Sequence, residues 1–104
     1  MKRLAFKMKL FEGCEIEYKK RHDALWPELK ELLIETGVSD YSIFLDSDTL
    51  TLFGVLKITN PNEMIALAEH PVMKRWWEYM KDIMESNPDD SPISIPLEEI
   101  FYLP

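Results

Sequence analysis

The chain has 104 residues, 46% hydrophobic and 30% charged, the composition of one folded soluble domain spanning 1–104 and not of a disordered tail. With 19 acidic against 12 basic residues, its formal charge is −7. That balance argues against nucleic acid, whose phosphates are bound by Lys and Arg that displace counterions.

Residues 3–10 alternate, with Leu4, Phe6, Met8 and Leu10 on one side and Ala5, Lys7 and Lys9 on the other, the pattern of a strand. Residues 14–36 read as helix, because Ile16, Tyr18, His22, Leu25/Trp26, Leu29 and Leu32/Leu33 recur at steps of three and four. Pro27 has no N–H and its ring crowds the carbonyl of Asp23, which predicts a kink or restart; Gly37 ends the second piece. Two strands, 40–46 and 50–58, flank the turn Asp46-Ser47-Asp48-Thr49. Asn60 as N-cap and Pro61 in the first turn open a short helix to about Glu69. Pro71 starts another, through about Glu85, with Val72, Trp76, Tyr79/Met80 and Ile83 on its apolar face. Residues 86–96 carry three prolines and no periodicity, a rigid loop, and 97–103 give a last strand, Ile100 to Leu103.

The order β-α-β-β-α-β is the ferredoxin-like split βαβ of the α+β class: a four-stranded antiparallel sheet with helices on one face. The hairpin strands are apolar on both sides, with Tyr41, Ile43 and Leu45 against Phe44, and Leu50, Leu52 and Leu56 against Phe53 and Val55. One layer of helices covers only one face, so a second copy is expected to cover the other, sheet against sheet, in a two-fold homodimer.

Cys14 is alone, so no intrachain disulfide can form, which fits a reducing compartment. Lys7 and Lys9 interrupt the apolar residues after Lys2-Arg3, so neither signal peptide nor membrane span is expected there, and the cytoplasm is the default location.

All three tryptophans lie in two stretches, Tyr18 to Glu28 and Arg75 to Met80, beside one of only two histidines. Flat aromatic faces next to a titratable imidazole suit a ligand that is apolar on one side and hydroxylated at its edges, as a sugar ring is. Tyr18 and His22, four apart, project from one helix face. His22 is either a hydrogen-bonded core histidine or a proton carrier at a rim, where Arg21 and Asp23 flank it with charge; otherwise the run Lys19-Lys20-Arg21 reads as a solvated face. Trp76 continues the core-facing stripe, with an edge available to a cavity. Trp77, about 100° around the axis, either caps a pocket or meets a partner chain. Tyr41 can reach the same space, although the sequence does not fix which face it occupies. His70 reads as a C-terminal cap on the helix dipole. His22, His70 and Cys14 are scattered, with no metal-ligand spacing, and none of the three glycines belongs to a phosphate loop. The simplest chemistry is a proton relay that needs no cofactor.

Four segments resemble the L-rhamnose mutarotase family: Tyr18-x-x-Arg21-His22-x-x-x-Trp26-Pro27-Glu28-Leu29, Arg75-Trp76-Trp77-x-Tyr79-Met80-x-Asp82, Asn87-Pro88-Asp89-x-Ser91-Pro92 and Phe101-Tyr102-Leu103-Pro104. The resemblance spans essentially the whole chain, and it departs at Asp90, where Asn is expected. It implies a dimeric α/β barrel that interconverts the anomers of L-rhamnose, an isomerase of carbohydrate metabolism. It also implies His22 as proton donor, Tyr18, Tyr41, Trp76 and Trp77 as sugar contacts, and neither metal nor organic cofactor. The alternatives are another cofactor-free or haem-linked enzyme on the same barrel, or a non-catalytic sugar-binding module; fold alone does not separate them.

Overall fold

The computed structural model describes residues 1–104. The elements run β1 (Lys2–Lys9), α1 (Glu15–Asp23), α2 (Pro27–Glu35), β2 (Val38–Asp46), β3 (Thr51–Ile58), α3 (Glu63–Glu69), α4 (Pro71–Met80) and β4 (Ile95–Leu97). One antiparallel sheet has the order β2-β3-β1-β4, the expected ferredoxin-like arrangement. No helix is long and apolar enough to cross a membrane.

Pro27 produces a restart. Trp26 is extended (φ −58°, ψ 131°) and Pro27 occupies the first turn of α2, where its missing N–H costs nothing. Gly37, at φ 94°, turns the chain into β2. The register pairs Leu4 with Leu56, Phe6 with Gly54 and Met8 with Leu52. These residues face the helices and, with Val38 and Ile58, hold the core beneath Leu29, Trp76, Met80 and Ile83.

Phe6 lies flat over Gly54. A Cβ at position 54 would sit 2.5 Å from Phe6 Cε2 and closer still to Cζ. Gly54→Ala should therefore destabilise the fold by about 1–3 kcal/mol, the range for overpacking. Chemical denaturation checks this, and an unchanged midpoint would mean that the Phe6 ring moves aside freely.

The opposite face has no helix on it. Its rows run Phe44, Phe53, Lys7, Ile95 and Ser42, Val55, Ala5, Leu97 across all four strands. Phe44 is 61% exposed, Ile95 51% and Leu97 38%.

Four expectations need correction. The last strand is not Ile100 to Leu103 but Ile95–Leu97, which fills the free edge of β1 and tolerates Pro96 because it is an edge strand. The apolar run after it has no strand partner and lies exposed, fixed by a bidentate Arg3–Glu99 pair and by the Arg3 guanidinium 3.2 Å above the Tyr102 ring. The helix from Pro71 stops at Met80 instead of about Glu85. Beyond a turn, the backbone there bonds to the end of β1, with Phe11 N–H donating to the Ile83 carbonyl and Glu85 N–H to the Lys9 carbonyl. Ile83 and Met84 stay buried, so the apolar periodicity outlasts the helix. His70 is the C-cap of α3 as expected, its N–H donating to the Leu67 carbonyl, but its ring serves the next helix instead of the α3 dipole: Nδ1 accepts from Val72 N–H at 3.1 Å, at the start of α4. Finally, Asn60 is not the helix N-cap; its Oδ1 accepts from Asn62 N–H in a turn that precedes α3.

Candidate active site

Arg21 anchors the site. Its Nε donates to Glu17 at 2.7 Å, and Nη1 donates to the Tyr79 carbonyl at 2.7 Å and to Asp82 at 2.9 Å. Its guanidinium carbon also lies 4.3 Å from the Tyr79 ring centroid. Only 10% of this side chain is exposed, so the basic run is not a uniformly solvated face. The hydrogen bond to Asp82 raises the Arg21 pKa, and the same bond lowers that of Asp82, so both stay charged. The result is a clamp between α1 and the C-terminal end of α4, which sets the neighbouring His22 against Trp76.

His22 is wedged between two aromatic rings. The Tyr18 ring stacks on it at 4.3 Å and 27°, and Trp76 meets it edge-on at 5.4 Å and 88°. Its Nδ1 lies 3.0 Å from the Tyr18 carbonyl oxygen. A carbonyl can only accept, so Nδ1 carries the proton in the neutral ring and Nε2 is a bare acceptor with no protein partner. Burial lowers the His22 pKa from its ordinary 6.5, against opposing contributions from the Tyr18 hydrogen bond and Asp23. The imidazole is therefore neutral at pH 7.

Tyr18, His22, Tyr41 and Trp76 line one mostly apolar cleft of about 1080 Å³ between the helices and β2. Tyr41 reaches it through a bulge: the β2–β3 register slips between Ser39 and Ser42, and Asp40 takes φ 48°. The slip turns Tyr41 toward the helices, edge-on to Phe6 at 6.2 Å. Burial pushes the Tyr41 phenol up to about 12 and raises the Tyr18 phenol further, with the Tyr41 charge as a second cause. Both are neutral hydrogen-bonding groups and poor bases.

Four of the five expected site residues thus converge. Trp77 does not line the cleft; it packs half-buried against the core. Two further residues support the site, and local spacing fixes neither. Trp26, beyond the helix break, meets Trp76 edge-on at 5.1 Å and stacks on Tyr79 at 5.6 Å. Arg21 is the other, since its partner Asp82 lies 61 residues away. No three of His, Cys, Asp and Glu converge as a metal set.

A family profile described as L-rhamnose mutarotase matches residues 3–103. An L-rhamnose mutarotase of Agrobacterium fabrum is 63% identical over 100 residues, covering 96% of this chain and 94% of that protein. One from Formosa agariphila is 56% identical over 103 residues, with 99% of each chain covered. The crystal structure of an L-rhamnose mutarotase from Formosa agariphila superposes with a TM-score of 0.93 at 55% identity, over the full length of both chains. A Nitrosomonas europaea protein assigned to the antibiotic biosynthesis monooxygenases superposes at 0.64 with 11% identity, covering 97% of this chain and 100% of that one, and shares the fold alone. Profile, sequence and fold agree along the whole chain, which belongs to the L-rhamnose mutarotase family.

Proposed function

We propose that the chain is an isomerase that interconverts α- and β-L-rhamnopyranose by opening and reclosing the ring at the cleft that holds His22. The single observation carrying this is the imidazole fixed by the Tyr18 carbonyl, neutral, with Nε2 free at a cleft walled by aromatic rings.

Opening a pyranose requires a proton to leave the anomeric hydroxyl O1 and a proton to reach the ring oxygen O5. Both oxygens are bonded to C1, so one imidazole at that edge can serve both. Nε2 takes the proton from O1, the C1–O5 bond breaks as C1=O1 forms, and the imidazolium donates its proton to O5. Rotation about C1–C2 presents the other carbonyl face, and the same steps in reverse close the ring. His22 is thus the proton donor to O5; on closure it takes a proton from O5 and returns one to O1, ending neutral as it began, so the cycle needs no cofactor and no redox partner. The raised pKa values of Tyr18 and Tyr41 leave their phenols to bind sugar hydroxyls as donor or acceptor. Trp76 offers an apolar wall to the 6-methyl group, and Trp77 flanks it on the next residue. Saturation-transfer NMR on equilibrated L-rhamnose tests the reading: the protein should accelerate exchange between the anomeric protons. Sugar-dependent quenching of tryptophan fluorescence without faster exchange would favour a binding module instead.

The working unit in this reading is a cytoplasmic homodimer, packed through the uncovered sheet face. Phe44, Val55, Ile95 and Leu97 make that face apolar across the sheet. Light scattering at micromolar concentration should give the dimer mass for the wild type and the monomer mass for Phe44→Asp. A monomeric wild type would refute the assembly.

A further inference from the structure

We propose that Glu15 is a further sugar-binding residue of this cleft, accepting a hydrogen bond from a hydroxyl on the side of the pyranose opposite the C1–O5 bond; the inference rests on the mutarotase reading. Glu15 opens α1 and shares a face with Tyr18 and His22, three and seven residues on. It lines the same cleft as they do. Its Oε1 is shut off from solvent yet has no hydrogen-bond partner, the one side-chain polar atom of the chain in that condition.

An oxygen so placed has lost its water without gaining a donor, which is unfavourable and uncommon in folded proteins. No Lys or Arg pairs with this carboxylate: the lysines and arginines of the chain that form ion pairs do so with Glu17, Asp23, Asp40, Glu69, Asp82, Asp90 and Glu99. A carboxylate only accepts, whereas a sugar hydroxyl donates. The complement of this unsatisfied oxygen is therefore an O–H entering the cleft.

The spacing says which O–H. Seven residues of α-helix set the backbones of Glu15 and His22 about 10.5 Å apart along the axis, and both side chains lean toward the helix N-terminus, which carries that offset into the cleft. A six-membered ring with one hydrogen bond of about 2.8 Å at each end fills such a gap. With the imidazole at C1–O5, the carboxylate meets the hydroxyl at C3 or C4. Glu15 thereby reads the part of the sugar that takes no part in ring opening.

The test measures L-rhamnose and its 3-deoxy and 4-deoxy analogues on wild type, Glu15→Ala and Glu15→Gln, by tryptophan-fluorescence titration and by NMR exchange. Glu15→Ala should weaken L-rhamnose binding about tenfold or more, in line with a hydrogen bond to a charged group, with the loss falling mainly on KM. Wild type should disfavour one deoxy analogue by a similar factor, and Glu15→Ala should bind that analogue and L-rhamnose alike. Glu15→Gln, which keeps an acceptor oxygen but loses the charge, should fall between. A purely structural role would lower the melting temperature without equalising the two sugars. Wild-type affinity in Glu15→Ala, or undiminished discrimination, would overturn the proposal. If wild type binds the sugar but does not accelerate exchange, the mutarotase reading falls while the titrations still decide Glu15; no binding by wild type overturns both.

Discussion

His22→Ala is expected to slow enzyme-dependent anomer exchange of L-rhamnose by about 10²-fold or more, the range for a well-placed acid–base group. Neither tyrosine of the cleft can take its place. The two phenols that line it are pushed toward higher pKa by burial, Tyr41 up to about 12, so neither offers an oxyanion at neutral pH. The substitution removes a partly buried ring stacked on Tyr18 and edge-on to Trp76, but the Arg21 clamp that joins α1 to α4 stays intact. The variant should therefore keep its far-UV circular dichroism and its oligomeric mass. Wild-type exchange in a folded His22→Ala protein would remove the imidazole from the reaction.

The same histidine sets the pH dependence. In the proposed cycle neutral His22 takes the first proton, so exchange should be level at neutral pH and fall as the pH drops through the folded-state pKa, which burial holds below the ordinary 6.5. Stability changes in the same direction. The unfolded chain takes up this proton more readily than the folded one, so the contribution of His22 to stability is complete above about pH 6.5 and is lost as the pH falls toward the folded value.

Trp76→Ala is the second large effect, and it falls on stability as well as on catalysis. The indole is 5% exposed and stands edge-on to His22, Trp26 and Tyr79 at centroid distances of 5.4, 5.1 and 5.6 Å. Removing so large a buried ring typically costs about 3–5 kcal/mol. For a chain of this size each kcal/mol corresponds to about 4–8 °C, so the melting temperature should drop by more than about 10 °C. Trp76→Phe separates the two roles: it keeps most of the packing and should retain a cooperative transition while weakening sugar binding. A small shift for Trp76→Ala would mean that Trp26 and Tyr79 collapse into the gap.

Those effects depend on which parts of the molecule local sequence controls. The β1 alternation, the break at Pro27 and the hairpin at Asp46 to Thr49 were legible because each is set within a few residues. So was the Tyr18–His22 pair, since a helix places i and i+4 together. Long-range pairing decided what was misread. The run Ile100 to Leu103 has strand composition, yet the free edge of β1 is taken by Ile95–Leu97. Ile83 and Met84 keep the periodicity of α4, but their backbone belongs with the end of β1. His70 joins two helices and caps both, and only the direction of its ring decides which one the imidazole serves. In the cleft, Tyr41 depended on a bulge at Asp40 that no local pattern announces, and the use of Arg21 depended on Asp82 in another element.

The central claim is that an imidazole Nε2 meets the endocyclic oxygen of L-rhamnose inside this cleft. A crystal structure of the protein with L-rhamnose bound tests it most directly. The account predicts O5 or O1 within about 3.2 Å of His22 Nε2, a hydrogen-bonding distance, with the Trp76 indole against the sugar. A sugar bound elsewhere, or an Nε2 turned away from C1 and occupied by a protein group, would contradict it.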